Sequence, residues 1–283
     1  MREVRFMPRA SLSEVLQDAR AHGYAVPAFN AWTYQDVLAL AAAAERARSP
    51  LILQTSGTCV RHNGLSFAFH MVENGVKDAT VPVVIHLDHG EEFRLIFDAI
   101  HMGYDSVMYD GSKLPIAENI ENTNIVKAVA EAYGVSVEAE IGHVLKGKND
   151  TEILTTPDEA QRFVSATKVD ALAVAVGTRH GMQTQDAPLR LDVLEALSAA
   201  VDTPLVLHGS SGVSDSDMPA VARSAICKVN IATRLRRVFI RALADMAPLH
   251  EGSDHIALIM QAHEATIAEA MQIMSLLGSA NRA

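Results

Sequence analysis

Residues 81–90 read VPVVIHLDHG, a run of Val, Ile and Leu that turns polar at its C-terminal end, Asp88-His89-Gly90. A strand that is apolar along nearly its whole length is buried on both faces, the mark of a parallel sheet covered by helices. Seven more runs of this kind surround it: 25–30 (AVPAFN), 50–55 (PLILQT), 104–109 (YDSVMY), 134–140 (GVSVEAE), 170–176 (DALAVAV), 204–208 (PLVLH) and 226–231 (ICKVNI). Between them, 34–48, 116–133 and 157–168 carry apolar residues at helical spacing. Thr33, Ser66, Thr156 ahead of Pro157, and Ser214-Asp215 are the expected N-caps. Eight strand–helix units in about 250 residues match an α/β fold of the (β/α)8 TIM-barrel type. An open doubly wound sheet would show a glycine-rich turn after its first strand, and AVPAFNAWT has no glycine. No Gly/Ser/Pro-rich linker or low-complexity tract divides the chain, so residues 1–283 read as one barrel domain closed by C-terminal helices from about 234.

The 34 acidic and 24 basic residues leave a net charge of −10. That balance argues against nucleic acid or an anionic membrane surface as a partner. No stretch reaches the roughly 20 consecutive apolar residues of a membrane helix. The opening MREVRFMPR is too charged for a signal peptide. Cys59 and Cys227 are too few for a disulfide framework and too far apart for a CxxC metal site. A cytoplasmic location is the expectation. An anionic ligand on so acidic a protein has to be held by backbone amides, hydroxyls or a metal.

In such a barrel the chemistry belongs at the C-terminal ends of the strands. Those ends read HLDHG (86–90), YDGS (109–112), EAEIG (138–142), GTRHG (177–181), HGSSG (208–212) and NIAT (230–233). His86 lies inside its strand and reads as a packing residue. His89, His180 and His208 follow apolar runs at strand ends, and three neutral imidazoles with one open position form a common catalytic zinc arrangement. Asp88 either orients a neighbouring histidine or moves a proton on a bound substrate, and the residues alone leave both open. Asp110 and Glu140 either hold an auxiliary cation or bond backbone amides at the barrel mouth. The loops after strands 7 and 8 stand where barrels of this type bind phosphate through N–H groups and hydroxyls.

Taken together, VPVVIHLDHG, YDSVMYDGSKLPIAENI (104–120), VSVEAEIG (135–142), DALAVAVGTRHG (170–181), PLVLHGSSGV (204–213) and KVNIATRL (228–235) resemble the class II, metal-dependent ketose-bisphosphate aldolases, the fructose- and tagatose-bisphosphate type. The likeness spans nearly the whole chain. It implies a (β/α)8 barrel that reversibly cleaves a ketose (bis)phosphate to dihydroxyacetone phosphate and an aldehyde. It implies His89, His180 and His208 as Zn2+ ligands and Asp88 as the catalytic proton donor and acceptor. Asn230 is implied as the residue that steadies the enediolate. Gly181, Gly209, Ser210, Ser211, Asn230, Ile231, Ala232 and Thr233 are implied as the dihydroxyacetone-phosphate site. The same resemblance implies a monovalent cation (Na+ or K+) near the phosphate loops, Asp110 and Glu140 as acids flanking the metal, and a homodimer or homotetramer.

The chain departs from the family pattern at Arg179, at Met182 and in HVLKGKND (143–150), which lacks the family's glycine-rich acidic run. These positions bear on the acceptor aldehyde and leave the metal and phosphate motifs intact. Other readings are a non-catalytic sugar-phosphate-binding accessory subunit and an aldolase for another phosphorylated keto-sugar acid. A metal-dependent hydrolase would carry an HxH pair on its first strand, and AVPAFN has no histidine. A Schiff-base aldolase needs a lysine in the barrel centre, for which Lys228 is the one candidate in a late strand, and it would leave three strand-end histidines unexplained.

Overall fold

A computed structural model of the protein describes residues 9–144, 153–249 and 255–283. Eight parallel strands close a barrel in sequential order. They are β1 (Val26–Asn30), β2 (Leu51–Ser56), β3 (Val83–Gly90), β4 (Ser106–Tyr109), β5 (Ser136–Ile141), β6 (Ala171–Val174), β7 (Leu205–Leu207) and β8 (Ile226–Ile231). Each overlaps the run expected for it, and β3 continues through Asp88 and His89 to Gly90. The helices are α1 (Leu12–His22), α2 (Tyr34–Ala47), α3 (Gly57–Asn63), α4 (Leu65–Val76), α5 (Phe93–Met102), α6 (Ile116–Ala132), α7 (Pro157–Thr167), α8 (Leu191–Ala200), α9 (Met218–Ala222), α10 (Thr233–Met246) and α11 (His255–Leu276).

Local chemistry sets the helix starts. Thr33 and Thr156 accept the N–H of Asp36 and Glu159, whose carboxylates return to the cap N–H and complete capping boxes. Ser66 does not cap: α4 begins one residue earlier behind Gly64, and the Ser66 hydroxyl faces His70 Nδ1 at 3.3 Å. Ser214 Oγ accepts the N–H of Asp217 at 3.2 Å, so it closes the turn leading into α9 and not the helix itself.

Side chains alternate between the two faces of each strand. Outward residues such as Phe29, Leu53, Ile85, Val107 and Val137 are buried under the surrounding helices. Inward positions change character from bottom to top. At the bottom, Val26, Ala28, Ile52, Val84, Ala171 and Val206 pack against Leu12, Val15, Leu16 and Ala19 of α1, which stoppers the barrel. Higher up, Gln54, His86, Glu138 and Lys228 form a polar layer beneath Asp88, Glu140, His208 and Asn230. Among the described residues, the buried charged side chains are Asp88, Asp110, Glu138, Glu140 and Lys228, all at this end. Charges avoid protein interiors unless they are paired or ligated, so their confinement to one end marks the working face.

Candidate active site

The turn at the end of β3 brings two consecutive residues into the mouth. The pairing of β3 with β4 shifts register between Leu87 and Gly90. His89 adopts a left-handed backbone with φ +52°, a conformation rare for residues other than glycine and concentrated at functional sites. Asp88 and His89, which a regular strand would send to opposite faces, therefore line the same cavity.

His180 and His208 approach from the ends of β6 and β7. The His89 and His208 ring centroids lie 4.8 Å apart, His89 and His180 5.3 Å, and His180 and His208 5.9 Å. Each imidazole offers a nitrogen within 4.8 Å of the others. The loops are drawn together at Gly209, whose φ is +65° and where a Cβ would collide with the backbone of Arg179. Thr178 Oγ1 donates to the His208 carbonyl at 2.6 Å and ties the same two loops.

Neighbouring carboxylates orient the rings. His208 Nε2 lies 2.9 Å from Glu138 Oε1, and its Nδ1 is buried without a hydrogen-bond partner among the described residues. His89 Nδ1 is 2.8 Å from Asp110 Oδ2, while Asp110 Oδ1 accepts the Ser112 hydroxyl at 2.6 Å. Glu140 Oε2 lies 3.5 Å from His208 Nδ1 and 3.9 Å from His89 Nδ1. Asp110 and Glu140 thus stand around the imidazoles, and with His89 they form a second group able to hold a cation.

Asp88 is gripped by two amides. Asn30 Nδ2 donates to Oδ2 at 2.8 Å and Asn230 Nδ2 to Oδ1 at 3.2 Å. Burial pushes this carboxyl up, but the positive charge of His89 foremost, with His208 and Lys228, outweighs it and holds the pKa at about 2. For His89 burial acts downward, and Asp88, Asp110 and Glu140 overcome it, raising the imidazole to about 9. Beneath them Glu138, despite its burial, is held well below the usual carboxylate range by the Lys228 ammonium and the His208 hydrogen bond. His86 packs as expected, its Nδ1 2.7 Å from Ser106 Oγ, with burial and then Lys228 lowering its pKa to about 3.

A cavity of about 240 Å3 opens above this layer. His180, Gly181, Gly209, Ser210, Ser211, Asn230, Ala232 and Thr233 line one side. Ser210 Oγ is already committed to the Asn230 carbonyl at 2.5 Å, and Ser211 Oγ accepts the Arg234 N–H at 3.3 Å. Ile231 is different: its side chain is fully buried in the core outside the strands, so it can offer a ligand only its backbone. Of the departing residues, Arg179 lends its backbone to the Gly209 contact, and Met182 Sδ fills the space a Cβ on Gly212 would need. The 143–150 segment lies outside the described residues from 145 onward.

Asn30, Trp32, Ser56, Thr58 and Arg236 line the same cavity. Sequence reasoning did not single these out, nor Gln54 and Glu138 below them. The available signal was the strand period: Gln54 pairs with Ser56, Glu138 with Glu140 and Lys228 with Asn230 on one face, two residues apart. Lys228 does enter the barrel interior, but it is fully buried and bonded to Glu138 and Asn230.

The donor set fits a divalent metal. Three ring nitrogens converge, the one left bare on His208 is buried, and carboxylates orient two of the rings from behind. The same acids that raise His89 would favour a cation in its place.

Barrel, imidazole cluster and flanking acids define a (β/α)8 protein with a candidate metal site at the C-terminal ends of its strands. The profile described as "Fructose-bisphosphate aldolase class-II" matches residues 10–282, and the chain belongs to that aldolase family. The sulfofructosephosphate aldolase of Alkalicoccus urumqiensis is 33% identical over 276 residues, covering 95% of this chain and 96% of its own. The YdjI aldolase of Escherichia coli K12 superposes with a TM-score of 0.88 at 32% identity, over 97% of this chain and 99% of its own. The fructose-bisphosphate aldolase of Campylobacter jejuni, at 20% identity and a TM-score of 0.84 over 97% of both chains, shares the fold. Among the described residues no helix is long and apolar enough to cross a membrane.

Proposed function

We propose that this aldolase is zinc-dependent and reversibly cleaves a ketose phosphate to dihydroxyacetone phosphate and an aldehyde. The observation that carries this reading is Asp88, an ionised carboxylate held by Asn30 and Asn230 beside three converging imidazoles. A zinc ion held by His89, His180 and His208 would supply Lewis-acid stabilisation of the charge that develops on the ketose C2 oxygen.

In cleavage, Asp88 takes the proton of the C4 hydroxyl, the C4–O bond becomes a carbonyl, and the C3–C4 pair passes into the enediolate of dihydroxyacetone phosphate. Condensation reverses this, with Asp88 returning the proton to the aldehyde oxygen. The Asn230 amide, which lines the cavity beside Asp88, would steady the enediolate. Gly181, Gly209, Ser211, Ala232 and Thr233 would anchor the phosphate at the N-terminus of α10, which fixes the reacting carbons relative to Asp88.

The remaining lining of the cavity would receive the aldehyde. Arg236, with the Ser56 and Thr58 hydroxyls, supports an aldehyde carrying an anionic group. The name of the Alkalicoccus relative extends the candidates from a phosphate to a sulfonate. Ile240, Ile256 and Met260 are exposed on α10 and α11, which supports a homodimer or homotetramer.

The test is a panel of fructose bisphosphate, tagatose bisphosphate and sulfofructose phosphate with fully zinc-loaded protein, monitored for dihydroxyacetone phosphate. Release from one of them supports the reading and names the sugar. No release from any of them sinks it.

A further inference from the structure

Lys228 carries a full charge to the centre of the barrel, below the cavity, where no substrate atom reaches it. Its Nζ donates to Asn230 Oδ1 at 2.6 Å and lies 2.9 Å from Glu138 Oε2. An ammonium has donors and no acceptor, so the atom of the Asn230 amide facing it has to be oxygen. The amide nitrogen is thereby turned away from the lysine, toward Asp88 Oδ1 at 3.2 Å and His208 Nε2 at 3.0 Å. Asp88 reads the other end of the amide only while it is an acceptor. Lys228 fixes the orientation whatever stands on the far side.

The partner amide is built the same way. Asn30 Nδ2 donates to Asp88, and its Oδ1 is held from behind by Gln54 Nε2 at 2.9 Å. The two amides that meet Asp88 are therefore each locked by a buried donor one layer down. Only on the Asn230 side is that donor charged.

We propose that Lys228 is a positioning residue of the aldol reaction: it locks the Asn230 amide with its N–H groups toward the reacting atoms and prevents the flip that would present a carbonyl to the enediolate. This inference rests on the aldolase reading above. A misoriented Asn230 would set an acceptor against developing negative charge, so the loss falls on the transition state and not on binding of the sugar phosphate.

The experiment is a double-substitution cycle of Lys228→Met and Asn230→Ala in zinc-loaded protein, reading kcat, KM and zinc content in each sample. Met keeps the length of the side chain without its charge. Lys228→Met is expected to lower kcat by about 10–100-fold, the range typical of orienting residues, with zinc content and KM within about twofold of wild type. In the Asn230→Ala background the same change is expected to cost less than about threefold, because residues acting through one contact are not additive. Losses that multiply across the cycle overturn the proposal, as does a fall in zinc content that matches the fall in kcat. Because Lys228→Met strands the buried Glu138 carboxylate, the Lys228→Met/Glu138→Gln double variant, in which neither charge remains, is measured beside it with and without Asn230→Ala. A wild type that cleaves no ketose phosphate overturns the aldolase reading and this role with it, whereas an active wild type with independent losses overturns the role of Lys228 alone.

Discussion

His208 Nε2 sits 2.9 Å from Glu138 Oε1, and this contact decides which nitrogen the ring presents to the cavity. Nε2 also meets Asn230 Nδ2 at 3.0 Å, while Nδ1 is buried 3.5 Å from Glu140 Oε2 with no hydrogen-bond partner among the described residues. His89 is arranged in the opposite sense, with Nδ1 on Asp110 and Nε2 turned inward, 3.9 Å from Asp88 Oδ1. One cluster thus uses both ring nitrogens, each chosen by a carboxylate behind it.

Metal removal should follow from that cluster. Replacing His89, His180 or His208 by Ala is expected to lower zinc content and abolish cleavage, and EDTA should inactivate the wild type reversibly with Zn2+ or Co2+. Elemental analysis beside an activity assay checks it. Full turnover in a metal-free sample would rule out the arrangement.

Zinc binding should release a proton whose origin is His89. In the metal-free protein burial works against the charged ring, but Asp88, Asp110 and Glu140 outweigh it and set a pKa of about 9. At pH 7 the ring is protonated, and a metal that takes its lone pair must displace that proton. Calorimetry in buffers of different ionisation enthalpy should find the release largest near pH 7 and fading as pH rises through about 9. The sign for stability is the same: a raised imidazole pKa stabilises the metal-free fold fully below its unfolded value of 6.5, and the contribution disappears above about 9. A constant proton count across that window would contradict the geometry.

Phosphate affinity should depend on two hydroxyls. Ser211→Ala and Thr233→Ala are each expected to weaken dihydroxyacetone phosphate binding by about 1.5–3 kcal/mol, the range of a hydrogen bond to a charged group. Zinc content and melting temperature should hold. Wild-type affinity in both variants would place the anion elsewhere.

For Asp88 the informative change is Asp88→Asn, which keeps the size and removes the proton acceptor. Cleavage turnover is expected to drop by about 100- to 10,000-fold with zinc retained. If Asp88 only orients His89, excess zinc should restore most of the activity. Turnover and zinc occupancy measured on one sample separate the two.

The barrel was legible because each strand is an apolar run, and burial on both faces leaves that trace in sequence. His89, His180 and His208 were legible because they end such runs beside glycine. Glu138 and Gln54 were not, because they lie inside the strands, where a polar residue looks like an interruption of the pattern, and Lys228 was legible only as a lysine in a late strand, without its partners. Their burial becomes intelligible only when β2, β5 and β8 are closed into one ring. Ser66 failed as a cap because the helix starts one residue earlier, at Leu65, where Gly64 stands at the N-cap. Asn30 and Trp32 gave no signal of their own, since their place in the cavity follows from β1 lying between β2 and β8.

Among the described residues, Leu12 and Leu16 of α1 close the bottom of the barrel and leave it a cup. Everything that happens above His208 has to use one rim for arrival and departure. Under the proposed cleavage, the two products would leave by the same opening that admits the ketose. Traffic at that rim, shaped by Trp32 and Arg236, is where the pace of the finished reaction can be set without touching a single reacting group.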